Sequence, residues 1–170
     1  MREAVQVAQE LGDITFVGAV AVYLHTKKTR ESQDLDFAIA SPISSEDLLQ
    51  KGYKKINRNG KEITTSPRNV KVDIYSKDVS DIPVQTIVNT AKMIPVNQKG
   101  KQLKVASVEC LIVAKHRASR PSRPQDDQDL HHLAQEKYAE IDWSLLQSLT
   151  NSVIEFQNIQ TVIKHLYEIP

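Results

Sequence analysis

The segment Asp34-Leu35-Asp36-Phe37-Ala38-Ile39-Ala40 sets the tightest limit on how this chain folds. Side chains of a strand alternate between faces, so Leu35, Phe37 and Ile39 share one face and Asp34 and Asp36 the other. The apolar face anchors the strand in a core and leaves two carboxylates side by side on its far side. Carboxylates this close repel each other and stay ionised only where water or a cation compensates. One reading is a strand end whose acids face solvent. The other is an oxygen-seeking divalent ion such as Mg²⁺, which takes one or two carboxylates and completes its shell with water or phosphate.

Two further features bear on that choice. In Val70 to Tyr75, Val70, Val72 and Ile74 alternate with Lys71, Asp73 and Tyr75, which predicts a second strand. Asp is depleted from strands, so Asp73 either faces solvent beside Lys71 or joins Asp34 and Asp36 at one metal site if the two strands pair. Upstream, Ile14-Thr15-Phe16-Val17 reads as a short buried strand, followed by Gly18-Ala19 and a helix over Val20 to Leu24 with Val20, Tyr23 and Leu24 inward. Small residues between a strand and a helix start let backbone N–H groups approach an anion, although Gly after a strand is also ordinary turn chemistry. A triphosphate with Mg²⁺ requires both anion donors and acids.

Elsewhere the pattern predicts helices over Arg2 to Leu11 and from Ser44 or Ser45 to before Gly52. A hairpin turns at Asn59-Gly60, a helix covers Val84 to Thr90, and a second hairpin lies around Asn97 to Lys101. Helices follow over 107–119, from about Gln125 to Lys137, over 143–149 and over 152–167. The fold class is α/β: a small mixed sheet flanked by helices over residues 1–105, then a helical subdomain over 106–170. The 170 residues suffice for such a core without a disulfide, and the single Cys110 suits a reducing compartment. Lys plus Arg number 22 against 21 Asp plus Glu, which argues against a strongly basic face for double-stranded DNA. Arg2 and Glu3 follow Met1 directly, and Phe16 to Leu24 is far short of the ~20 residues of a membrane span. A soluble cytoplasmic protein is the expectation.

Taken together, Phe16-Val17-Gly18-Ala19, the string Arg30-Glu31-Ser32-Gln33-Asp34-Leu35-Asp36-Phe37 and Val72-Asp73-Ile74 resemble the DNA polymerase β-like nucleotidyltransferase superfamily. The nearer likeness is to minimal and AbiEii-type nucleotidyltransferases of toxin–antitoxin systems, which share an Arg-x-Ser-x-Asp-apolar-Asp string. Leu111, Lys115, Arg120 and Asp126-Asp127-Gln128-Asp129-Leu130 resemble that family's C-terminal helices. Ala19 departs from the usual Gly or Ser, and the spacer from Ala19 to Asp34 is slightly long. The resemblance implies a nucleotidyltransferase fold and Mg²⁺-dependent transfer of a nucleoside monophosphate from an NTP such as ATP to an acceptor. It implies two Mg²⁺ ions on Asp34, Asp36 and Asp73, with Asp73 also taking the acceptor's proton. Gly18, Ala19, Ser32, Arg30 and Lys115 would bind nucleotide, with Arg30 and Lys115 neutralising developing charge. The acceptor is an RNA, a protein or a small molecule. The competing expectation is a non-catalytic module of the same fold that binds nucleotide or a protein partner.

Several residues are read independently of that likeness. Lys115 interrupts the apolar stripe of Val108, Leu111 and Ile112 in a helix expected to be buried. Its charge either snorkels to water or meets an acid or a phosphate. Asp126 and Asp129, at i and i+3 near a helix start, are explained by the helix dipole alone. His131 and His132 point about 100° apart on a helix and form no metal clamp. Cys110 reads as a packing residue. Lys51, Lys54, Lys55, Arg58 and Lys61 around the Asn59-Gly60 turn are either a solvated edge guard or an arm for a polyanionic acceptor.

Overall fold

Local signals in the sequence place most of the elements. In the computed structural model, which describes residues 1–28, 32, 34–96 and 100–169, helix α1 (Arg2–Leu11) stops at Gly12 with φ of 82°. Strand β1 (Thr15–Phe16) is two residues long, and helix α2 (Gly18–Thr26) starts directly after Val17. Its buried residues are Ala21, Val22, Leu24 and Thr26, with Val20 and Tyr23 only half-buried. The expected inward residues Val20, Tyr23 and Leu24 all pack against the core, the first two at its margin, and Ala21 and Val22 are buried as well because this helix is apolar nearly all round. Strand β2 (Asp34–Ala38) follows, then α3 (Ser45–Gln50), whose cap Ser44 accepts from Asp47 N–H and donates to Asp47 Oδ2 at 2.6 Å.

Strands β3 (Lys54–Arg58) and β4 (Lys61–Thr65) form the expected hairpin. Asn59 and Gly60 both have positive φ, 54° and 76°, as the tight turn between twisted strands demands. After β5 (Lys71–Tyr75) comes a ribbon of β6 (Asp78–Val79) and β7 (Ile82–Pro83), which the sequence did not suggest because each strand is only two residues long. Helix α4 (Val84–Thr90), β8 (Lys92–Pro95) and β9 (Gln102–Val105) complete the α/β part. The second expected hairpin is the antiparallel β8–β9 pair; Asn97 to Lys99, at its turn, lie outside the described residues. Helices α5 (Val108–Ala118), α6 (Pro124–Lys137), α7 (Trp143–Leu149) and α8 (Val153–Glu168) close the chain, with a 3₁₀ turn at Tyr138–Glu140.

Among the described residues the main sheet has seven strands in the order β3-β4-β5-β2-β1-β9-β8. It is mixed: β2 runs parallel to β5 and β1 parallel to β9, while the other pairs are antiparallel. The back of β2 is core, with Leu35, Phe37 and Ile39 at 7%, 0% and 4% exposure, and Phe16 meets the Phe37 ring edge-on. Helix α2 packs on β2 and on α5 and α6. No helix of the described residues is long and apolar enough to cross a membrane.

Arg117 joins three elements at the end of α5. Its guanidinium donates to both Glu155 carboxylate oxygens (2.7 and 3.0 Å), to Ser80 O (2.8 Å) and to Leu149 O (3.1 Å). Glu155, at the start of α8, is held below the ordinary carboxyl range chiefly by that hydrogen bond. Arg117→Met is expected to cost about 2–3 kcal/mol at neutral pH. A depressed carboxyl contributes stability that is present above its unfolded value of 4.5 and is lost as pH falls through the folded one. The gap between native protein and Arg117→Met should therefore narrow below that pH, as urea denaturation of both across an acid pH series will show.

Candidate active site

Parallel pairing of β2 with β5 puts Asp34 opposite Lys71 and Asp36 opposite Asp73. Cross-strand partners point to the same face, so the three acids and Lys71 form a two-by-two block on the side of β2 away from Phe37. The pairing that the sequence left open is thus present. Lys71 Nζ donates to Asp34 Oδ2 at 2.9 Å and to Asp73 Oδ2 at 2.5 Å. Burial alone would lower the Lys71 ammonium, but the Asp73 and Asp34 carboxylates outweigh it and raise the group above the ordinary lysine range. Asp36 has no ion-pair partner among the described residues. Burial, with Asp73 and then Asp34 adding like-charge repulsion against the opposing pull of Lys115, pushes its carboxyl up to about 6.

Gly18 is fitted to Asp36. With φ of 61° at the first turn of α2, it sits so close that a Cβ there would collide with Asp36 Oδ2 and stand 3.0 Å from Asp36 Cβ. Val17 N–H donates to Asp36 O at 2.9 Å, and no side chain caps the helix. The first N–H groups of α2 therefore open beside the acid block, where the helix dipole favours negative charge.

A cavity of about 110 Å³ lies against this point, bordered by Gly18, Asp36, Tyr75, Lys115, Arg123 and Asp126 among others. Lys115 is 8% exposed, and its Nζ lies 2.9 Å from Asp126 Oδ1 and 2.8 Å from Asp129 Oδ2; both aspartates are fully buried. Arg123 Nε adds a contact of 2.7 Å to Asp126 Oδ2. Of the readings open for Lys115, acid pairing is the one observed. Asp126 and Asp129 do more than favour a helix dipole: they hold a buried ammonium at the cavity wall.

The remaining candidates are placed as follows. Ala19 lies with Ser32 and Asp34 at a separate concavity of about 350 Å³. Ser32 Oγ donates to Asp34 O at 3.2 Å. Arg30 lies outside the described residues. From sequence alone Lys71 marks only an exposed face, and no motif singles out Arg123 or Tyr75 as site residues. The alternation Lys71, Asp73, Tyr75 held the signal for two of them. Cys110 is buried and contacts Thr90 Oγ1 at 3.4 Å, as a packing residue should.

Among the described residues, no three Asp, Glu, His or Cys side chains stand in a ready-made ligating array. Asp34 and Asp73 are instead drawn onto the Lys71 ammonium. The donor set still fits a hard divalent ion: it is all oxygen, it lies on adjacent strands, and it already converges on a positive charge.

A mixed sheet with carboxylates on neighbouring parallel strands beside a glycine-started helix is the architecture of a nucleotidyltransferase-like protein. A crystal structure of an antigenic nucleotidyltransferase-like protein from Paracoccidioides brasiliensis matches it with TM-score 0.54 and 17% identity, over 94% of this chain and 88% of that one. JHP933 from Helicobacter pylori matches with TM-score 0.54 and 18% identity, over 98% and 89%. The family model described as "Nucleotidyl transferase of unknown function (DUF2204)" matches residues 1–168, and the chain belongs to that family. No curated protein matches it in sequence.

Gly18→Ala combines left-handed backbone, costing about 1–2 kcal/mol, with a collision against Asp36. Chemical denaturation is expected to show at least that loss. The damage should shrink in Gly18→Ala/Asp36→Ala, which removes the colliding carboxylate.

Proposed function

We propose that this chain is a Mg²⁺-dependent nucleotidyltransferase that moves a nucleoside monophosphate from an NTP to an acceptor hydroxyl. The observation that carries the reading is the register match of Asp36 with Asp73 beside the uncapped start of α2. Asp34, Asp36 and Asp73 would hold the metal, which when bound polarises the phosphoryl oxygens and acidifies the acceptor hydroxyl. The chain's own groups do the rest. The N–H groups of Gly18 and Ala19 donate to phosphate oxygens, with the α2 dipole behind them. Asp73 accepts the acceptor's proton on its carboxylate. Lys115 presents positive charge at the cavity wall and, held by Asp126 and Asp129, needs no rearrangement as negative charge develops. Ser32 sets the entry of the chain into β2, and Arg30 is assigned a phosphate contact by the resemblance alone. The acceptor is an RNA, a protein or a small molecule, and a toxin–antitoxin pair is one setting in which such a reaction operates.

Two observations favour a second reading. Lys71 already supplies a cation to Asp34 and Asp73, and Ala19 brings no hydroxyl, as in a module that binds nucleotide or a protein partner without catalysis.

Thermal unfolding with each NTP, with and without Mg²⁺, separates the two. A ligand at a hundredfold its Kd adds about 2.7 kcal/mol, or roughly 5–11 °C for a domain of this size. A Mg²⁺-dependent shift that disappears in Asp36→Asn, with nucleotide-dependent release of pyrophosphate by the native protein, supports transfer. A shift indifferent to Mg²⁺ and to Asp36→Asn supports the silent module. Without ligand, Asp36→Asn should melt at or above the native temperature at neutral pH. A carboxyl whose folded pKa is raised opposes folding increasingly as the pH rises above its unfolded value of 3.8, in full above about 6, and the amide removes that charge.

A further inference from the structure

We infer that Lys71 takes the place of one cation in the acid block, so that the site holds a single divalent ion rather than two. The inference rests on the metal-dependent reading above. Lys71 and Asp73 are two apart on β5 and share its acid-bearing face, and Lys71 is the register partner of Asp34. The ammonium lies on the diagonal of the block, bonded at 2.9 Å to Asp34 Oδ2 and at 2.5 Å to Asp73 Oδ2.

The ions of a two-metal site stand about 3.5–4 Å apart and share carboxylate ligands. A second ion bridging Asp34 and Asp73 would stand between the same two carboxylates as the Lys71 ammonium, a cation tethered to the same strand that it would have to push aside. Charge argues the same way. Counted as ionised, the three carboxylates carry three negative charges; the Lys71 ammonium offsets one and a single divalent ion the other two, before the nucleotide's own charges are added. Lysine suits the task because a compact ammonium on a flexible stem donates in any direction and imposes no coordination geometry. Asp36, without an ion-pair partner among the described residues, is left as the principal ligand, together with the unshared oxygens of its neighbours.

Mn²⁺ paramagnetic resonance in the presence of a non-hydrolysable ATP analogue counts the ions without reference to activity. Two Mn²⁺ ions at two-metal spacing couple and broaden the isolated six-line signal. The native protein is expected to bind one Mn²⁺ per chain with an uncoupled spectrum distinct from that of Mn²⁺–nucleotide alone. Lys71→Met should admit a second ion and show the coupled pair, whereas Lys71→Arg, which keeps the charge, should retain the single-ion spectrum. Circular dichroism checks that both variants fold, and the native spectrum decides between one ion and two whatever their stability. A coupled pair in the native protein overturns the inference, as does a single ion in folded Lys71→Met. If native protein and Asp36→Asn both give only the Mn²⁺–nucleotide spectrum, the metal-dependent reading itself falls and the inference with it.

Discussion

Everything distinctive about this molecule depends on the parallel pairing of β2 with β5. Its register sets Asp36 beside Asp73 and Lys71 beside Asp34. The same register sends Leu35, Phe37 and Val72 into the core, at 7%, 0% and 1% exposure. A slip of one residue in either strand would turn that strand's side chains to the wrong face. The apolar backs of the two strands therefore hold like charges together on their fronts. The tension remains visible in Asp36, whose carboxyl is pushed up to about 6 by burial and by its acidic neighbours.

Behind the block, ionic contacts fix the helices that wall the cavity. Lys115 on α5 reaches across the Pro121–Pro124 break to Asp126 and Asp129 on α6, all within the protein interior. Buried ion pairs add little net stability, since desolvation offsets much of the attraction. Their value here is geometric: the ammonium can satisfy both carboxylates only with α5 and α6 in one relative position. In the same last turn of α5, Arg117 performs a similar task for α7 and α8, and Tyr138 stacks on Tyr167 at 4.3 Å to close helix α8 against the 3₁₀ turn.

How much of this could be read beforehand follows from the range of each interaction. The alternation in Asp34 to Ala40, the caps Ser44 and Ser107 and the turn at Asn59-Gly60 are local, and each appears in the structure where the residues place it. Asp34, Asp36 and Asp73 were legible as candidates because acids in apolar strands conflict with the pattern around them. Long-range register was not legible. Nothing within a few residues of Lys71 says that Asp34 lies opposite, so its bridging position emerges only from strand order. Gly18 was legible as a small residue, but its reason, the approach of Asp36, belongs to a different strand.

The two-residue strand β1 has a consequence for how the protein is made. Its neighbours are β2, from the same stretch of chain, and β9, reached only when Phe16 pairs with Val105. The acid block is complete in sequence by Asp73, yet the sheet that carries it stays open along β1 until β9 has been synthesised. Pairings so distant along the chain must overcome a large loop-closure entropy and form slowly. A chain not yet extended to Val105 therefore holds all three acids in its sequence while one side of β1 lacks its partner strand. That exposed edge is where a chaperone, or another nascent copy, first has something to grip.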